Sequence, residues 1–142
     1  MSYYQSTVRY DKMLENGTVK RVSEKYLCDA LSCTEAIELA TSEVQPTTSG
    51  EFEITEVKKT AIAEIFGDMQ MCAKFFIAKV NIINLNEHTG KEKKTAYQWF
   101  VGADDYDMAK ALVTDEIKKS MADIEIAGIT ESPIIGFIPA KL

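Results

Sequence analysis

Phe52-Glu53-Ile54-Thr55-Glu56-Val57-Lys58-Lys59-Thr60-Ala61-Ile62 and Ile124-Glu125-Ile126-Ala127-Gly128-Ile129-Thr130-Glu131-Ser132-Pro133-Ile134 are one pattern written twice. Residues in matched places differ by 72 in number, and Tyr3-Tyr4 and Val8 recur with the same spacing as Phe75-Phe76 and Val80. Between these blocks, Gly17, Lys20-Arg21, Tyr26-Leu27, Ala36 and Leu39 recur as Gly90, Lys93-Lys94, Trp99-Phe100, Ala109 and Leu112, now 73 apart. One residue more in the second hairpin and one fewer in the second helix-to-strand loop account for the change. Because the offset holds over several elements and slips only in loops, the pattern reads as an internal duplication, which sets the architecture.

Each copy then reads the same way. Segments 3–13 and 18–29 carry strand-like residues around Glu15-Asn16-Gly17, and segments 73–86 and 91–102 do so around Glu87-His88-Thr89-Gly90. In both turns a glycine supplies the positive φ that a tight hairpin needs. Ser32-Cys33-Thr34-Glu35 has capping-box spacing and opens an apolar stripe through Ala36, Ile37, Leu39, Ala40 and Val44 that Pro46 stops. The second helix is expected from Asp104-Asp105, through Met108, Ala109, Leu112, Val113, Ile117 and Met121, with Lys118-Lys119 in its last turn, where the dipole favours cations. A third strand region follows each helix, at 52–66 and 124–138. Within it the apolar spacing slips from even to odd, at Ile54 to Val57 and Ile126 to Ile129, which predicts a bulge or bend at the same place in each copy. Pro133 places its stretch at an edge or a kink, Pro46-Thr47-Thr48-Ser49-Gly50 reads as a loop, and Gly67-Asp68-Met69-Gln70 as the seam between halves.

The expected fold is α+β: a tandem pseudo-two-fold repeat of ββαβ units, with an antiparallel sheet and two helices on one side. Halves of about seventy residues are small to stand alone. One domain over 1–142, built of halves at about 1–67 and 68–142 that share a core, is therefore predicted.

Hydrophobic content of 46% beside 27% charge marks a folded chain. No stretch reaches the roughly 18 apolar residues of a membrane span, and Met1-Ser2-Tyr3-Tyr4 lacks the basic start and apolar run of an export signal. Cys28, Cys33 and Cys72 are odd in number and sit in or beside apolar segments, which predicts reduced thiols and a cytoplasmic setting. The single His88 lies in a turn without a second histidine, so neither a metal nor any other cofactor is expected. No Gly-x-Ser-x-Gly or phosphate-loop spacing occurs. The carboxylates Glu35, Glu38, Asp104, Asp105 and Asp107 fall at helix starts, where capping explains them, so no catalytic residue is assigned and the protein is expected not to be an enzyme.

A net charge of −6 argues against coating nucleic acid over the whole surface, because phosphate binding rests on Lys and Arg. A local face remains. Lys20-Arg21 and Lys93-Lys94 stand at the same place in each copy, with Lys25, Lys91 and Lys58-Lys59 nearby and Tyr26, Tyr97 and Trp99 on the same return strands. Cations between aromatic residues on a sheet hold single strands, phosphates by charge and bases by stacking. Lys20, Arg21, Lys93, Lys94, Tyr26 and Trp99 are therefore the candidate nucleic-acid-binding residues. The plainer reading makes the lysines solvated hairpin ends, interrupted by Glu24 and Glu92, and puts Tyr26 and Trp99 in the core. Two other functions are open: a protein-interaction module or homodimer using strand edges or the pairs Tyr3-Tyr4 and Phe75-Phe76, and a small-ligand protein that sequesters a nucleotide in a pocket at the seam.

Glu15-Asn16-Gly17 before a basic strand, Ser49-Gly50-Glu51-Phe52, Ile62-Ala63-Glu64-Ile65-Phe66, Thr89-Gly90-Lys91-Glu92-Lys93-Lys94-Thr95-Ala96 and Met121-Ala122-Asp123-Ile124-Glu125-Ile126 come in a characteristic order. Together they resemble an uncharacterised domain-of-unknown-function family of small proteins from Bacteroidetes and their phages and mobile elements, over the whole chain. The resemblance implies a cytoplasmic bacterial or phage accessory protein and contributes no site residues.

Overall fold

A computed structural model describes residues 2–45 and 51–140. The elements run β1 (Ser2–Met13), β2 (Val19–Ala30), α1 (Cys33–Val44), β3 (Phe52–Lys59), β4 (Ile62–Gly67), β5 (Lys74–Leu85), β6 (Glu92–Ala103), α2 (Tyr106–Lys119), β7 (Asp123–Glu131) and β8 (Ile134–Ile138). The loop expected at 46–50 lies outside the described residues.

Local chemistry sets the element ends. Gly17 and Gly90 adopt φ of 83° and 70°, and the side-chain oxygens of Asn16 and Asn86 accept turn N–H groups from Thr18 and His88. Ser32 caps α1 by accepting from the Glu35 N–H at 3.2 Å, and the Glu35 carboxylate accepts from Leu31 N–H at 3.4 Å. Asp105 caps α2 by accepting from Met108 N–H at 2.8 Å. Met121, expected on the apolar stripe of α2, lies beyond the helix end at Lys119 and is exposed. Ser120, in extended backbone, already ends the helix.

The expectation of one antiparallel sheet is corrected. The fold is α+β with two four-stranded sheets, β3-β1-β2-β8 and β4-β6-β5-β7, and each is mixed: β8 runs parallel to β2, and β4 parallel to β6. The region 52–66, expected as one strand, is two. β3 pairs with β1, and after Thr60 the chain joins the other sheet as β4 beside β6. The region 124–138 divides likewise at Ser132-Pro133, with β7 beside β5 and β8 beside β2. Pro133 falls between strands, where its missing N–H costs no ladder bond. The chain thus forms two compact units, Met1–Thr60 with Ile134–Leu142, and Ala61–Pro133. Gly67-Asp68-Met69-Gln70 is a turn inside the second unit, between β4 and β5, with the Asp68 carboxylate accepting from the N–H groups of Gln70 and Met71 at 3.0 Å each.

The registers of the two sheets match. Tyr4 faces Cys28 and Lys59, and Phe76 faces Val101 and Glu131. The β1–β3 pairing slips between Thr7 and Val8, leaving Thr55 as the extra residue, and the β5–β7 pairing slips between Lys79 and Val80, leaving Ala127. The bulges stand where the apolar spacing changes parity. In the first unit α1 packs Ala36, Leu39, Ala40 and Val44 on the sheet face carrying Tyr4, Val8, Tyr10 and Cys28. In the second, α2 packs Ala109 and Val113 on Phe76, Ala78, Val80, Trp99 and Val101.

Candidate functional site

Successive side chains of a strand point to opposite faces, so each basic pair is divided. Lys20, in register with Lys12, lies on the α1 side of its sheet; Arg21, in register with Asp11, lies on the other. Lys93, opposite Asn84, lies on the α2 side, and Lys94, opposite Ile83, on the far side. All four are exposed. Arg21 borders a small cavity of about 150 Å³ together with Asp11, Glu51 and Glu53, an acidic surrounding for a cation. Lys94 Nζ meets Glu125 Oε1 at 3.0 Å, and the Asn81 amide donates to the same oxygen at 3.1 Å. These bonds hold the Glu125 carboxyl below its ordinary range, the Lys94 bond first, and the Glu125 carboxylate raises the Lys94 ammonium.

The two rings are not beside the cations as open stacking faces. Trp99 is only 7% exposed, sits in the core under α2, and meets Phe66 edge to face at 5.0 Å. Its register partner is Ala78, on the helix side. Tyr26 is half-buried against the core under α1 and packs close to Gly136, where an added Cβ would come within 3.1 Å of its ring. Its hydroxyl donates to Glu24 at 3.3 Å, and the Tyr10 hydroxyl donates to the same oxygen. Burial first, and then Glu24, pushes Tyr10 up to about 12, and the same causes raise Tyr26. Both ring positions follow the alternation that puts bulky apolar residues under a helix.

Toward the β5–β6 hairpin, the face of the second sheet away from α2 gathers different residues; toward the other end the same face carries the buried, stacked rings of Phe75 and Phe100. Lys79 pairs with Gln98, and Asn81 with Ala96, so these four share the face away from α2 that also carries Lys94. Lys79, Asn81, Gln98 and Tyr97 line a cavity of about 370 Å³, walled by the small side chains of Ala61, Ala96 and Ala127. Ala127 is the bulged residue of β7. β4 begins opposite Gln98, so β6 has no β4 partner from Glu92 to Tyr97; Tyr97, the register partner of Val80 and so on the α2 side, is 39% exposed and borders the cavity at this edge. Two carboxamides present donors and acceptors together, a lysine adds a point charge, and a phenol ring adds a π-face. Lys79, Asn81 and Gln98 were missed by the sequence reading. The signal was available in their alternation with Lys94, once β5 and β6 are set in register.

Nothing in this arrangement pairs a nucleophile with a base. His88 lies in its turn, and no cluster of three or more His, Cys, Asp or Glu able to hold a metal occurs among the described residues. The thiols are free, with Cys28 buried, Cys72 partly so and Cys33 exposed. Among the described residues no helix is long and apolar enough to cross a membrane.

Residues 2–140 match the family model described as a domain of unknown function, DUF4494. No curated protein and no solved structure matches the chain.

Proposed function

The chain belongs to the DUF4494 family, and we propose that it is a non-enzymatic accessory binding protein that holds single-stranded nucleic acid at the hairpin end of the sheet face away from α2 in its second unit. The observation that carries this reading is the convergence of Lys79, Asn81, Gln98 and Tyr97 on one cavity, with Lys94 on the same face. Carboxamides bond to base edges, an exposed tyrosine ring stacks on a base whatever its identity, and ammonium groups take the phosphates. The same face of the first unit carries Arg9, Arg21 and Lys25 among Asp11 and Glu53, and that of the second carries Lys79 and Lys94 among Glu92, Asp123 and Glu125, so charge does not separate the two; the carboxamides Asn81 and Gln98 at the cavity, matched by Arg9 and Lys25 in the first unit, favour the second. Of the residues chosen from sequence, this reading retains Lys94, which shares the face of the cavity. Lys20 and Lys93 lie on helix-side faces, and Tyr26 and Trp99 support the sheet instead of touching a base.

The test is fluorescence anisotropy of a labelled single-stranded oligonucleotide at several salt concentrations. Single strands lose affinity with a log–log salt slope of about −0.7 per phosphate neutralised. Lys79→Ala is therefore expected to flatten the slope by about 0.7, and Asn81→Ala with Gln98→Ala to weaken binding at unchanged slope. Binding that ignores all three substitutions, or that favours duplex, defeats the reading.

A free nucleotide is the second reading, because about 370 Å³ falls within the roughly 300–1,000 Å³ of small-molecule sites. A nucleotide that displaces the oligonucleotide supports it. A docking surface made of Tyr3-Tyr4 and Phe75-Phe76 has less support, since all four rings are buried; a homodimer through strand edges is tested by light scattering. The matched registers and paired bulges support descent of both units from one duplicated ββαβ segment with an approximate two-fold relation. One cooperative unfolding transition would mark them as a single domain. The cytoplasmic setting in Bacteroidetes, their phages or mobile elements rests on the motif order Ile62 to Phe66, Thr89 to Ala96 and Met121 to Ile126.

A further inference from the structure

The second unit holds another opening, on the α2 side of its sheet: a cleft of about 330 Å³ between the last turn of the helix and strands β4 to β7. Its floor is the edge-to-face pair of Phe66 and Trp99, with Ile82, Ile124 and Tyr97 beside it. The first unit fills the matched place. Where the second has Ile82 and Ile124, the first has Tyr10 and Phe52, which occupy the same registers and pack into the core under α1. The Tyr10 and Tyr26 hydroxyls then close on Glu24. Two aromatic side chains exchanged for aliphatic ones account for the space.

The charge differs as well. Gly136 presses on the Tyr26 ring in the first unit, and the matched residue of the second is Glu64, which lines the cleft. Glu116 and Lys119 line it too and engage each other, Nζ to Oε1 at 3.6 Å. Glu64 has no ion-pair partner among the described residues. The cleft therefore carries one unbalanced negative charge next to three aromatic rings. A carboxylate beside π-faces favours an organic cation, whose charge the ring quadrupole also attracts, while the apolar floor gives a bare metal ion no oxygen shell.

We infer that this cleft binds a small organic cation, an ammonium group on an apolar or aromatic body, with the ammonium at Glu64 and the body against Phe66 and Trp99. The inference is independent of the nucleic-acid reading, whose residues lie on the opposite face; Tyr97 borders both and is left unaltered in the test.

Trp99 is the single tryptophan of the chain, so its emission reads the cleft directly. The full chain is titrated with phenethylamine, and with 2-phenylethanol and 3-phenylpropionate as neutral and anionic counterparts. The expected result is a saturable change with the amine in the millimolar range or below, at least about tenfold weaker for the counterparts, a difference of about 1.4 kcal/mol. Glu64→Gln should cost the amine about tenfold. Ile82→Tyr, which copies the first unit, and Ile124→Phe as a second plug should abolish binding while circular dichroism and oligonucleotide binding persist. The inference is overturned by no saturable response to the amine, by equal binding of the alcohol or acid, by an unaffected Glu64→Gln, or by a folded plug variant that binds as well as the parent.

Discussion

Gly67→Ala should destabilise the protein well beyond what glycine's conformational freedom explains. Gly67 is the last residue of β4, has φ +88° and faces Gly102 of β6. An L-residue in the left-handed region costs about 1–2 kcal/mol. Here the new Cβ would also stand 2.2 Å from the Gly102 carbonyl oxygen and 3.2 Å from its carbon, both backbone atoms of a paired strand. No side-chain rotation relieves that, so the end of β4 must move off β6. The Gly67–Gly102 pairing is then lost, and Phe66 shifts on Trp99. Forced overpacking of this kind adds about 1–3 kcal/mol. Gly17 is the control, because at φ +83° it has nothing within 4 Å of an added Cβ. The expected losses are about 1–2 kcal/mol for Gly17→Ala and about 2–5 kcal/mol for Gly67→Ala. Urea unfolding followed by Trp99 emission and far-ultraviolet circular dichroism, with linear extrapolation, measures both. Equal losses in the two variants would refute the argument and with it the placement of β4 against β6.

Glu125→Gln releases Lys94 from its ion pair, so oligonucleotide affinity should rise at low salt and the log–log slope steepen by about 0.7; an unchanged slope would remove Lys94 from the interface. Tyr10 keeps its proton up to about 12 in the folded chain, against an ordinary 10.0. Its contribution to stability is therefore complete below pH 10 and lost as pH rises from there to about 12, where only the unfolded chain has already ionised. Ultraviolet titration of tyrosinate should show this window narrow in Glu24→Gln, and a titration identical to the parent would contradict it. Ile138→Ala, in a strand that completes the first sheet and packs on Tyr4 and Cys28, should cost about 2–5 kcal/mol and speed labelling of the buried Cys28 thiol; labelling at the parental rate would speak against β8 in that sheet.

What was legible beforehand follows from the range of each interaction. The turns at Gly17 and Gly90, the caps at Ser32 and Asp105 and the bulges at Thr55 and Ala127 are decided within a few residues, so they stand in the chain as written. Thr60-Ala61 carries no comparable mark of a change of sheet, and Pro133 marks an edge or a kink without saying that the chain crosses to the other sheet. An apolar alternation shows that a segment is a strand, and not which partner takes its backbone N–H and C=O groups. The candidate site failed to be legible for the same reason: Lys79 and Gln98 are neighbours only through the β5–β6 register.

By itself, then, the order of residues determined the two hairpins, the helix starts and the matched bulges, because hydrogen-bonding turns, caps and side-chain periodicity act over short stretches. Only the tertiary structure decided that β4 and β8 join sheets apart from the strands just before them, that Trp99 and Tyr26 lie under helices, and that Lys94 meets Glu125. Those outcomes rest on burial and pairing between residues tens of positions apart, where the free energy depends on which surfaces meet and not on which residues are adjacent.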